Sequence, residues 1–465
     1  MSARIHTIAS AARALAAGRT TAAALVEESL ERIAALDPGL SSFVLVTADH
    51  ARKAARAADA ARKRGRDLGK LHGVPFALKD IYATAGIRTT AHSALLARNV
   101  PRRDSTVAAR LAAAGGTMLG KLATHEFATG GPAYDLPFPP ARNPWNRAHF
   151  TGGSSSGSGA AVAAGLVPLA MGSDTSGSIR GPAAFCGVAG FKPTYGLVPR
   201  TGVVPLAFSL DHCGPLAWTV EDCALAMEAI AGPDGEDPAE APAPLAGGFA
   251  RGLGRGIEGM RIGVVRHFHE RDVEGDAVAI AAIEDSLKVL RKLGAKVVDV
   301  RLAPHADWDA CVRVLLYAEA YAIHERDLAE HPELYAEITR TRLRAGAAIG
   351  GADVVHAMRW RRQLCDQYMR ATEGLDAVVC AAALGPAPRI DDITGRPYFG
   401  TRGKLVMAPF SLTGAPSLVV CAGFTPDGLP LGIQVAGRPF DDAKVLRVGH
   451  AYERATPWRV RRPPT

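Results

Sequence analysis

Gly152-Gly153-Ser154-Ser155-Ser156-Gly157-Ser158, then Ala160 to Leu166, Val167 to Met171 and Gly172-Ser173-Asp174-Thr175-Ser176-Gly177-Ser178 form the stretch that decides the fold. The first heptad reads as a polar loop. Ala160 to Leu166 reads as a short apolar helix, and Val167 to Met171 as a buried strand. A second small-residue loop follows and leads into a helix near Pro182-Ala183-Ala184. A strand that passes through a glycine-rich loop into a helix is an α/β pattern.

Upstream, Leu71-His72-Gly73-Val74-Pro75-Phe76-Ala77-Leu78-Lys79-Asp80 is another apolar run typical of a buried strand. A charge at the end of such a run is costly unless it is paired or used. Residues 21–36 read as an amphipathic helix capped by Thr20 or Thr21, residues 48–68 as a charged helix and residues 104–114 as a helix ending at Gly115-Gly116. Thr117 to Leu119 reads as a strand. The proline-rich stretch 132–144 must be a loop, since proline removes a donor and fixes φ.

Downstream, residues 232–256 read as a linker dense in Gly, Pro, Asp and Glu. Arg261 to Val265, Asp276 to Leu293 and Lys296 to Val300 form a strand–helix–strand pattern, which predicts a parallel pair. Residues 308–372 read as mostly helical, and residues 376–382 and 417–421 as buried strands. No internal repeat is visible.

Composition excludes several classes. The 465 residues are 48% hydrophobic and 22% charged, which is ordinary for a globular chain. The net charge of +8 is dispersed in short groups such as Arg359, Arg361 and Arg362, with no basic run interleaved with aromatics. A solvated arginine-rich surface is therefore expected rather than a nucleic-acid site. The seven cysteines make no CxxC pair, which fits a reducing cytoplasm and no structural zinc. Residues 150–173 lack charge, but their Gly, Ser and Pro content argues against a membrane span. Neither a cofactor nor a metal is expected, and a homodimer is compatible with the sequence.

The chemical reading starts at Ser178. A serine on a tight loop between a strand and a helix exposes its hydroxyl where backbone N–H groups converge. Thr175, Ser176 and Gly177 are the candidate N–H donors to an oxyanion. Serine needs a base, and no histidine neighbours this loop in sequence. Lysine can serve if burial lowers its pKa, and Lys79 ends an apolar strand. A serine between the two can relay the proton. The Gly152-Gly153-Ser154-Ser155 loop supplies candidates, with glycines that permit unusual backbone angles.

These motifs resemble those of the amidase signature family. The resemblance rests on Gly152-Gly153-Ser154-Ser155, on Gly172 to Arg180 and on His72-Gly73-Val74-Pro75 leading to Lys79-Asp80. It continues through Cys186-Gly187 and Phe191-Lys192-Pro193-Thr194-Tyr195-Gly196 to Gly428-Leu429-Pro430-Leu431-Gly432-Ile433-Gln434. It covers nearly the whole chain and is weakest over residues 235–395.

The resemblance implies a single domain built on a large, twisted, mixed and mostly parallel β-sheet with helices on both faces. Its signature core would span residues 65–230 and a variable, mostly helical pocket region residues 300–395. It implies a Ser–cis-Ser–Lys triad of Ser178, Ser154 and Lys79, with Ser178 following Ser154 by 24 positions as in the family. Ser155 would hydrogen bond near Lys79. Asp174 and Arg180 flank Ser178, and their own reading is to pin its loop by hydrogen bonds rather than to act in catalysis. The implied activity is hydrolysis of a linear, non-peptide amide C–N bond through an acyl-enzyme. The substrate would be a small amide, an aryl amide, a carbamate or a urea-like molecule.

Ser156 and Ser176 stand where the family often has glycine, and Cys380-Ala381-Ala382 where it often has a proline-rich turn. Phe127 and Tyr134, on loops before the serine loop, are candidate pocket residues. The alternative is the glutamine-hydrolysing A subunit of a tRNA-dependent amidotransferase. Against it, Thr341-Arg342-Leu343-Arg344-Ala345-Gly346 lacks the arginine-rich pattern associated with that protein's glutamine site. A catalytically silent scaffold is a third reading, and the intact triad argues against it.

Other motifs fail on particular residues. Gly153-Ser154-Ser155-Ser156-Gly157 matches a nucleophile elbow centred on Ser155, but Asn146 to Phe150 before it reads poorly as the required strand. Gly115 to Leu122 misses a P-loop because Leu122 cannot hold magnesium. His267-Phe268-His269 reads as a surface loop.

Overall fold

The computed structural model describes residues 6–241, 248–393 and 405–464. Eleven strands form one sheet: β1 (Phe43–Val46), β2 (Pro75–Lys79), β3 (Thr117–Leu122), β4 (Leu169–Asp174), β5 (Ala189–Lys192), β6 (His212–Ala217), β7 (Arg261–Val264), β8 (Lys296–Asp299), β9 (Ala377–Ala381), β10 (Ser417–Phe424) and β11 (Pro430–Ala436). Their spatial order is β1-β3-β2-β4-β6-β5-β10-β11-β9-β7-β8. The expected large mixed sheet is present, but the expectation that it is mostly parallel is corrected. Parallel pairing joins β3–β2–β4 and β9–β7–β8, while β1–β3 and every neighbour from β4 through to β9 are antiparallel. For β10 and β11 the physical reason is a short connection. β10 returns as β11 through the Asp427-Gly428 turn, which leaves no room for a crossover helix.

Sheet strands here alternate between two cores rather than between core and water. Phe76, Leu78, Leu169, Met171, Leu418 and Val420 pack into one cluster, and Ala77, Ala170 and Val419 into the other. Both faces are therefore covered, which explains strands that read as continuous apolar runs. Each fully buried Leu or Phe contributes about 1.5–3 kcal/mol.

Helices fall close to their sequence signals. Thr21 caps Ala22–Leu36 by accepting from Ala24 N–H, and Thr106–Ala113 is capped by Ser105. The β7–helix–β8 unit is parallel as predicted, with Ala277–Lys292 between its strands. Residues 132–144 contain no helix or strand, and His305–Glu330, Glu337–Ala345 and Gly351–Ala371 supply the helical region after residue 300. Within the expected linker, residues 242–247 lie outside the described residues, as do residues 394 and 395 of the expected pocket region.

His267 and His269 are buried, not on a surface loop, because they sit on a helical turn against Phe268 and the start of His305–Glu330. His267 Nδ1 is 2.9 Å from the Asp272 carboxylate. Among the described residues no cluster of His, Cys, Asp and Glu could hold a metal, and no helix is long and apolar enough to cross a membrane.

Candidate active site

The sheet brings the two key strand ends together. β2 and β4 are parallel neighbours with Phe76, Ala77 and Leu78 opposite Leu169, Ala170 and Met171. Extending that register one step sets Lys79 level with Gly172. The loops after both strands then open at the same edge, where ligand sites of such sheets form.

Lys79 is fully buried. Its Nζ lies 2.6 Å from Ser154 Oγ and 2.8 Å from Ser173 Oγ. Burial pushes its pKa down to about 7, against the opposing pull of Asp211, Asp174 and Cys213. A lysine at that value is an available base at neutral pH. The adjacent Asp80 is engaged elsewhere, 3.2 Å from the Lys121 ammonium and bonded by Thr90.

The Gly153–Ser154 peptide is cis. A Cβ at Gly153 would stand 1.9 Å from His125 Cε1, so only glycine fits there. Ser155 N–H donates to Ser178 carbonyl oxygen at 3.2 Å, which ties the two serine loops together. Ser154 and Ser178 line one small cavity with Gly153, Ser176, His125, Leu206 and Arg342. Lys79 does not line it and reaches it through Ser154.

Ser155 hydrogen bonds next to the lysine rather than to it. Its hydroxyl donates to Ser173 carbonyl oxygen at 3.2 Å and accepts from Ser173 N–H at 3.3 Å. Ser173, which sequence reasoning missed, is the residue that touches Lys79. The signal for it was its place at the end of β4, beside Asp174.

Asp174 and Arg180 pin the nucleophile loop. The Asp174 carboxylate accepts from the N–H groups of Gly177, Ile179 and Arg180 at 2.7, 3.1 and 3.3 Å. It also accepts from Arg180 Nε and Nη2, both at 2.9 Å. The rest of that guanidinium donates to Met407 carbonyl oxygen, Gln434 Oε1 and Ser411 Oγ. Burial pushes the Asp174 carboxyl up, but Arg180 beside it wins and holds it well below the usual range. The Gly177 amide is thereby committed to Asp174, which corrects its expected role as an oxyanion donor. Gly177 has φ +117°, and a Cβ there would meet Met407 Cγ at 2.7 Å.

The two expected pocket residues lie elsewhere. Phe127 is a core residue, its ring 4.4 Å from that of His324, because the backbone at Phe127 turns the side chain inward. Tyr134 is 46% exposed, with Arg142 over its ring. The cavity is walled instead by Ala128, Thr129, Gly130, Leu316, Tyr317 and Arg342. Arg342 is buried, donates to Gly130 carbonyl oxygen, and carries the one permanent charge among the described lining residues. The segment Thr341 to Gly346 therefore does present an arginine to the site.

The chain is 39% identical to the A subunit of glutamyl-tRNA(Gln) amidotransferase from Chloroflexus aggregans, covering 98% of both chains. It superposes with a TM-score of 0.89 and 35% identity on a chain from a vestigial protein complex that reveals the origins of an s-triazine catabolic enzyme, covering 97% of this chain and 98% of that one. The peptide amidase of Stenotrophomonas maltophilia matches with a TM-score of 0.87 and 32% identity, covering 99% and 98%. Residues 24–446 match the Amidase family model, and the chain belongs to that family, the amidase signature enzymes.

Proposed function

We propose that this single-domain chain is a serine amidohydrolase that cleaves a small amide carrying a carboxylate. One observation carries the reading: a buried lysine with a pKa near 7 stands behind Ser154, on a cavity shared by Ser178 and Arg342. Neutral Lys79 draws a proton through Ser154 from Ser178, whose Oγ attacks the amide carbonyl carbon. The amides of Thr175 and Ser176 hold the oxyanion. Collapse breaks the C–N bond, and the proton returns through Ser154 to the leaving nitrogen. Water then attacks the acyl-enzyme by the same relay. Arg342 holds the carboxylate of the substrate by charge-assisted hydrogen bonds.

The relatives named as A subunits of an amidotransferase favour the second reading, hydrolysis of glutamine within a complex, and support it better than a stand-alone role. Glutamine carries the carboxylate that Arg342 would meet. Its ammonium would need an acidic partner, and no Asp or Glu lines the cavity among the described residues, which favours a substrate without that group. The test is turnover of glutamine, with and without partner subunits, beside a panel of carboxylated amides, carbamates and ureas, using Ser178→Ala as the blank. Equal turnover by the blank sinks the mechanism. Turnover of glutamine alone, raised by the partner, selects the second reading.

A further inference from the structure

Asp211 lies just before β6, outside the serine and lysine motifs. It is half-buried, and three groups donate to its carboxylate. Thr175 Oγ1 donates at 2.6 Å, and the N–H groups of Leu206 and Ala207 donate at 2.8 and 3.0 Å. Thr175 stands in the oxyanion loop, and Leu206 is in the wall of the catalytic cavity. Leu206 and Ala128 also separate that cavity from a second one of about 340 Å³, which Asp211 and Ser173 line. Burial pushes its pKa up, while the bonds from Thr175, Leu206 and Ala207 and the charge of Arg200 oppose that and favour the carboxylate.

We propose that Asp211 is a positioning residue of this active site: its one carboxylate sets the oxyanion loop against the substrate wall and lends Lys79 a negative charge. The inference rests on the assignment of Ser178 and Lys79 made above. Two carboxyl groups act electrostatically on Lys79 to keep its proton, Asp211 foremost and then Asp174. Asp174 is paired with Arg180, with Lys192 and His212 also close to it. Asp211 has no ion pair among the described residues; Arg200 acts on it from a distance, and Arg200 is bonded to Asp237. Asp211 is thus the acid whose charge is least cancelled at the lysine.

Two variants separate geometry from charge. Asp211→Asn keeps the shape, accepts from Leu206 and Ala207 with its oxygen and donates to Thr175 with its nitrogen, but removes the charge. Lys79 then loses support for its ammonium, its neutral form persists to lower pH, and the acid limb of kcat/KM moves down by about half a pH unit or more. Thr175→Val removes the bond and keeps the charge. It lowers kcat by about tenfold and leaves the limb in place.

A limb that does not move in Asp211→Asn overturns the proposal, even if activity falls, since a structural role would do only that. A kcat within about twofold of the parent in Thr175→Val also overturns it, and this variant decides should Asp211→Asn fail to fold. Fluorophosphonate labelling keeps the two readings apart. Labelling that survives in Ser178→Ala fails the assignment of the nucleophile and this inference with it. Labelling lost there, with an unmoved limb in Asp211→Asn, fails Asp211 alone.

Discussion

Ser173 Oγ lies 2.8 Å from Lys79 Nζ, so the buried amine is held by two hydroxyls, with Ser154 at 2.6 Å on the path to the cavity. Ser173→Ala leaves the lysine one partner and freedom to turn from Ser154. Steady-state kinetics should show kcat down by about tenfold with KM nearly unchanged. Ser155→Ala, which loses only bonds to the Ser173 backbone, should fall less. Equal losses in the two variants would remove the distinction.

The pH profile follows from burial of Lys79. Because the amine must be neutral to accept a proton, kcat/KM should rise through about pH 7 and flatten above it. Stability carries the same sign. The unfolded lysine binds its proton up to its ordinary 10.5, the folded one only up to about 7. Between those values the unfolded state holds more protons, so this group's destabilising share shrinks as pH rises. Lys79→Met should be inactive, yet more stable than the parent at pH 7, with the advantage fading towards pH 10. Denaturant melts across that window check it, and a constant difference would count against a depressed lysine.

Arg342 should set which amides are accepted. Arg342→Ala is expected to raise KM about 10- to 100-fold for carboxylated amides while leaving neutral ones little changed. Kinetics on a matched acid and ester pair reads this directly. A parallel loss on both members would mean that Arg342 only supports the fold.

The pair of Asp174 and Arg180 should matter for stability before chemistry. Both are fully buried, and removing the guanidinium strands a carboxylate without its ion-pair partner. Arg180→Met should cost about 3–5 kcal/mol in chemical denaturation, and Asp174→Asn in the same chain should restore part of it. Additive losses would show that the two residues act separately.

Much of the candidate centre was legible because it is local. Ser154 and Ser178 sit in dense small-residue loops, and Lys79 ends an apolar run whose strand β2 lies beside β4. The commitment of the Gly177 amide was not legible, since it depends on how the loop folds back onto Asp174. The pocket was not legible either. Leu316, Tyr317 and Arg342 arrive from helices more than a hundred residues downstream, and nothing in a local pattern reports that meeting. Phe127 was close in sequence and still faces the core. The antiparallel pairing of β10 with β11 had a readable sign in Pro426-Asp427-Gly428, a short turn between the two strands.

Two parts of the wall of the candidate cavity differ in origin, and this divides the molecule for anyone who wishes to change what it cuts. Ser176 and Ser178 sit on a loop locked by Asp174 and Arg180, whereas Leu316, Tyr317 and Arg342 come from His305–Glu330 and Glu337–Ala345. Exchanging side chains on those two helices alters the guest while the cutting edge stays set. Redesign that begins on the serine loops would have to rebuild the lock first.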